Sequence, residues 1–153
     1  MDSRTEVVRS VSHEEIFIDG ELCALIIPAD YDRAGIQFFT SSDLSQQLAS
    51  MSYPRGKVIP AHTHNMVGRQ IFHTQEALFI RKGGIRVDFY SKDREYRKSR
   101  VLGPGDVILL VSGGHGFEVL DDLNMVEVKQ GPYSGETDKT RFNIPLPRKL
   151  SFE

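Results

Sequence analysis

The chain predicts an all-β fold, and three observations predict it. Apolar residues fall in about ten short runs, many alternating with polar ones as a half-buried strand requires. Turn signals separate the runs at intervals of roughly 8–12 residues, the spacing of a sandwich or barrel. Helical periodicity is almost absent. The 153 residues suit a single domain with a sizeable core.

The elements follow in order. Residues 1–13 are polar and read as an N-terminal extension or an arm on a partner. Glu15 to Pro28 predicts a hairpin, because Asp19-Gly20 sits between two apolar runs. Gly35 to Thr40 predicts a short strand, and Gln46 to Tyr53 a second with a polar face. Lys57 to His64 alternates loosely. Glu76 to Tyr90 predicts a hairpin turning at Gly83-Gly84, with Ile85, Val87 and Phe89 on one face. The stretch after it carries Lys92, Arg94, Arg97, Lys98 and Arg100, which suits a solvated hairpin end better than an anion site. Pro104-Gly105-Asp106 predicts a turn into the buried strand VILLV. A tight bend at Ser112–Gly116 places His115 at the start of the next strand. Two more strands are expected, joined near Asp121-Asp122. The proline-bearing segment 131–153 predicts a wrapping extension outside the sheet.

Composition narrows the partners. A net charge of −2 gives no reason to expect nucleic acid or an anionic membrane. No apolar run approaches the ~20 residues of a membrane-spanning helix, and the start has no secretory apolar core. The single cysteine, Cys23, excludes an internal disulfide and suits a cytoplasmic setting; it reads as a core residue.

The chemistry concentrates in a few side chains. On a strand, residues i and i+2 face the same way, so His62 and His64 send two imidazoles to one side, with Thr63 turned away. Glu76 opens the next apolar run, and His115 lies in the Gly-rich bend. Three imidazoles and a carboxylate suit one divalent transition metal, Fe, Mn, Ni, Co or Zn, and do not choose among them. In six-coordinate geometry such a set leaves open positions for substrate. Glu127 and Lys129 alternate with Val126 and Val128. On an inner face they would act as acid-base or anchoring groups; on an outer face they are solvated. His73 is a third catalytic candidate, set against an exposed loop histidine, and Arg69 and Gln70 are candidate substrate contacts.

These motifs resemble the cupin superfamily. The first signature is matched by Gly56, five residues, His62-Thr63-His64, then Glu76, six residues and Gly83. The interval from His64 to Glu76 is eleven residues instead of the usual three or four, so NMVGRQIFHTQ reads as a lengthened hairpin loop. The second signature is matched by Pro104-Gly105-Asp106 and His115, with Val119 where asparagine is common. The resemblance covers roughly Tyr53 to Val128, expected as the barrel core of a single domain 1–153. It implies a double-stranded β-helix, the cupin jelly roll, with metal ligands His62, His64, Glu76 and His115, and a homodimer. It also implies a small polar metabolite as ligand. Small cupins of this kind resemble sugar-phosphate isomerases and proteins of polysaccharide and sugar-nucleotide pathways, so the leading expectation is isomerase-type chemistry by Lewis-acid polarisation of a carbonyl. An Fe(II) dioxygenase and a non-catalytic sugar-binding or sensing module are the alternatives.

Overall fold

A computed structural model describes residues 12–153. Among them are eight strands: β1 (Glu14–Ile18), β2 (Glu21–Ile27), β3 (Gly35–Phe38), β4 (Ala49–Ser52), β5 (Glu76–Tyr90), β6 (Tyr96–Leu102), β7 (Val107–Leu110) and β8 (Gly114–Lys129). One single-turn 3-10 helix spans Gly135–Asp138. All strand pairs are antiparallel. The protein is all-β, as expected, and its main sheet curls into a half-barrel compatible with a jelly roll. No helix among the described residues is long and apolar enough to cross a membrane. The polar segment 1–13 lies mostly outside the described residues; His13 packs its ring against Phe39.

The main sheet runs β1-β2-β7-β5-β6, and β8 lies along the other side of β5. The hairpin at Asp19-Gly20 forms as the local chemistry dictates: both residues have positive φ, 52° and 81°, which a two-residue hairpin of matching twist needs. The turn before β7 closes by the Asp106 N–H donating to Gly103 C=O. The Asp106 carboxylate accepts from the backbone N–H groups of Ala29 and Gly103, both at 2.8 Å, and so ties this turn to the end of β2.

Two expected turns are not turns. Gly83-Gly84 does not reverse the chain: β5 is one strand of 15 residues. Asp121-Asp122 does not separate two strands either, since β8 runs unbroken for 16. The two pair along their whole length, and the register slips where Ile80–Ile85 meets Val119–Met125. Gly83, at φ 80°, forms a bulge there. A side chain at Gly83 would meet the Asp122 backbone, so only glycine permits the approach. The bulge also shifts the alternation by one. Leu78 and Ile80 before it, and Ile85, Val87 and Phe89 after it, therefore enter the same core with Ile16, Ile26, Ile108 and Leu110. The expected count of about ten strands becomes eight: two expected pairs merge into β5 and β8, Lys57–His64 forms no strand, and β6 arises in the expected charged connection.

The opposite face packs Leu25, Ile27, Ala77 and Leu109 under Phe39, Tyr31, Leu44 and Leu48. The core thus draws on β1 and β2 as well as on the Tyr53–Val128 stretch. The basic run after β5 forms a tight connection and an edge strand. Its cations pair with acids of the β1–β2 hairpin: Lys92 with Glu21, Arg97 with Asp19, Arg100 with Glu14. The C-terminal extension lies outside the sheet and contacts it at two places. Phe142 packs edge-on to Tyr90 at 5.1 Å, and the Ser99 N–H donates to Ser151 C=O at 2.7 Å.

Residues Lys57–His64 do not form a strand. The whole segment from Tyr53 to His73 is exposed and irregular. Strand alternation supplies a face but no partner, and no neighbouring strand hydrogen-bonds this segment among the described residues.

Candidate metal and metabolite site

The register of β5 decides which side chains share the inner face. Glu76 sits opposite Leu110 of β7 and Lys129 of β8; Leu78 sits opposite Ile108 and Glu127. Leu78 and Ile108 are core residues, so Glu76, Glu127 and Lys129 also face the interior. His115 sits opposite Phe89, near the far end of the same strand pair, and shares that face. The bend at Gly83 curls the sheet until its two ends meet. His115 Nε2 lies 3.2 Å from Glu76 Oε2, although Phe89, the cross-strand partner of His115, is 13 residues from Glu76 on β5.

Glu76 is held on two sides. Lys129 Nζ is 3.8 Å from its Oε1 and 3.1 Å from Glu127 Oε1. The carboxylate is only 12% exposed. Its hydrogen bond with His115 keeps its pKa below the usual carboxylate value; burial opposes this, and the charges of His115, Lys129 and Lys139 assist it. Lys129 is held protonated by its bond to Glu127, with a pKa above that of a free lysine.

A cavity of about 610 Å³ opens over the pair. Glu76, His115 and Tyr90 line it, and Lys92, Arg94, Lys139 and Arg141 bring four cationic groups to its wall. Lys92 and Arg141 are paired with Glu21 and Glu136. Arg94 lies over the Phe142 ring, and neither it nor Lys139 has a carboxylate partner among the described residues. Lys139 was not legible in the sequence, because the tail has no periodicity to assign a face.

The seven candidate residues therefore fall into three groups. Glu76, His115, Glu127 and Lys129 converge on the inner face. His62 and His64 are neighbours, with ring centroids 5.3 Å apart, on the exposed segment. His73 lines an adjoining cavity of about 410 Å³ that also reaches Lys129. No group of three or more His, Cys, Asp or Glu side chains among the described residues stands close enough to hold one ion. The donor set is thus divided into two pairs. Cys23 is a buried core residue, as expected.

The Glu76–His115 pair fits a metal in its spacing. Two donors at ~2.0–2.2 Å from one ion stand about 3.0–3.5 Å apart in octahedral or tetrahedral geometry, and the observed 3.2 Å falls inside that range. The same distance also makes an ordinary charge-assisted hydrogen bond.

The fold and this site define a class: an all-β half-barrel with an acid–imidazole–lysine cluster at its open mouth. The chain matches no protein-family model, no curated protein and no solved structure.

Proposed function

We propose that this chain is a metal-dependent jelly-roll protein of the cupin kind, acting on a small anionic metabolite such as a sugar phosphate or sugar nucleotide. The observation that carries the reading is the meeting of Glu76 and His115, from opposite ends of one bent strand pair, beneath a cavity whose wall carries Lys92, Arg94, Lys139 and Arg141. Glu76 and His115 would contribute two metal donors, and His62 and His64 the remaining two. When bound, the ion would polarise a hydroxy-carbonyl pair of the substrate.

The protein groups have separable tasks. Glu76 stays ionised because His115 and Lys129 stand against it. Lys129, fixed between Glu76 and Glu127, keeps the two carboxylates from repelling each other. Glu127 is the more exposed carboxylate and would take or return a substrate proton, the acid-base task of an isomerase. Arg94 and Lys139 would anchor a phosphate or carboxylate at the rim.

The test is metal analysis after reconstitution, combined with thermal shifts in the presence of sugar phosphates and of neutral sugars. Near-stoichiometric metal that is lost in His115→Ala supports the reading. A stabilisation by sugar phosphates that weakens several-fold in Lys139→Ala supports the anionic substrate. Absence of metal at near-stoichiometric level overturns it.

A further inference from the structure

We infer that two copies of this chain exchange the segment Pro54–His73, so that the metal site is completed between subunits. The composite site rests on the metal reading above; the exchange itself does not.

The segment behaves as an arm. Each of its residues is exposed, and Met66, at 102%, is as open to solvent as in an isolated peptide. It carries Val58, Ile59, Met66, Val67, Ile71 and Phe72, an apolar load that a lone chain leaves in water. Its backbone donates only within itself, Lys57 to Pro54. Anchored at β4 and β5, twenty extended residues reach roughly 33 Å out and back, enough to lie on an adjoining half-barrel.

The half-barrel presents what such an arm needs. β8 pairs with β5 on one side, and its other edge has no strand partner among the described residues. A 16-residue open edge is a template for an added strand. Phe117 and Val119 of β8 face the interior yet are 40% and 56% exposed, because no second layer covers them among the described residues. Charge favours the pairing. Tyr53–Gln75 holds Arg55, Lys57 and Arg69 and no carboxylate, whereas β8 holds Glu118, Asp121, Asp122 and Glu127 against a single lysine.

The exposed area has the right size. A folded monomer of 17.3 kDa exposes about 7,800 Å², and this chain exposes 11538 Å². Allowing residues 1–11 a full unfolded-chain area of roughly 1,800 Å² still leaves about 1,900 Å² in excess. Part of that excess lies on the exposed extension 131–153; twice the whole falls inside the range of obligate dimer interfaces and bounds this one from above. An arm lying along the partner's β8 would carry His62 and His64 toward the partner's Glu76 and the partner's His115, which accounts for a donor set divided into two pairs within one chain.

Two measurements test this. In the first, ¹⁵N-labelled and unlabelled full-length chains are unfolded together, refolded and treated with a carbodiimide that joins amines to carboxylates. With exchanged arms, about half of the cross-links from Lys57 to β8 carboxylates join a heavy peptide to a light one. Cross-links within one label only, or none between Lys57 and β8, overturn the exchange whatever the metal content. In the second, the variant H62A/H64A is mixed with E76Q/H115A under the same protocol. Each parent should bind cobalt(II) near zero, and the mixed dimer about one ion, since only there does an intact arm meet an intact half-barrel. Mixed-label cross-links without cobalt uptake leave the exchange standing and remove the metal reading.

Discussion

Gly83→Ala tests the bend on which the site depends. The substitution has two costs. Alanine at φ 80° pays the left-handed penalty, about 1 kcal/mol. The added Cβ would also stand 2.7 Å from the Asp122 carbonyl carbon and 2.9 Å from Asp121 O. Ordinary contacts lie near ~3.5–4.0 Å, so β5 and β8 must part by about 1 Å where they are held on both sides, for a further ~2 kcal/mol. Gly20→Ala is the internal control. Its φ is 81° and nothing lies within 4 Å of the new Cβ, so it carries the conformational penalty alone. With a urea m-value of about 2 kcal/mol/M, the two variants should differ by about 1 M in midpoint at one fixed protein concentration. Circular dichroism during a urea titration measures it. If the two midpoints agree within about 0.3 M, Gly83 lies in an open reversing turn, β5 is not continuous, and the approach of Glu76 to His115 loses its support.

Two further outcomes follow from the charge networks. The buried Asp88 carboxylate accepts from Arg86 Nε at 2.8 Å, Arg86 Nη2 at 3.0 Å and Ser99 Oγ at 2.6 Å. Arg86→Leu should cost about 3 kcal/mol by leaving that charge with Ser99 alone, whereas Glu118→Gln, at a 57% exposed partner of Arg86, should cost less than about 1 kcal/mol; equal melting shifts would contradict this. In metal-free protein, Glu76 has a folded pKa below its unfolded value of 4.5, so its ionised form stabilises the fold. That contribution is complete above 4.5 and is lost as pH falls through the lower folded value. Glu76→Gln should flatten the acid limb of stability against pH; parallel curves for wild type and variant would refute the assignment.

What the sequence reveals depends on how local the cause is. The Asp19-Gly20 hairpin and the Pro104-Gly105-Asp106 turn are legible because adjacent residues set their dihedrals. Gly83-Gly84 is not, because the same dipeptide serves a reversing turn or a bulge. The choice is made by the Asp122 carbonyl, some forty residues away. The same distance effect hides the continuity of β8. Alternation puts Glu127 and Lys129 on one face, but only their register against Leu78 and Glu76 makes that face the inner one. Signature spacing points to Glu76 and His115, and the curl of the sheet brings them together. His62 and His64 are visible as a pair by the i, i+2 rule, but alternation supplies no partner, and no strand pairs with them among the described residues.

The C-terminal extension has an evolutionary corollary. It crosses the mouth of the half-barrel, tethered by Asp138 to Thr74 and by Ser151 to β6, and it lends Lys139, Arg141 and Phe142 to the cavity wall. None of these three residues takes part in the sheet's own hydrogen bonding. On the proposed reading, ligand selectivity would drift through changes in this strap while the acid–imidazole cluster stays as it is. A library randomised at the exposed Lys139 and Arg141 alone would sample that drift while leaving the packing of Phe142 on Tyr90 in place.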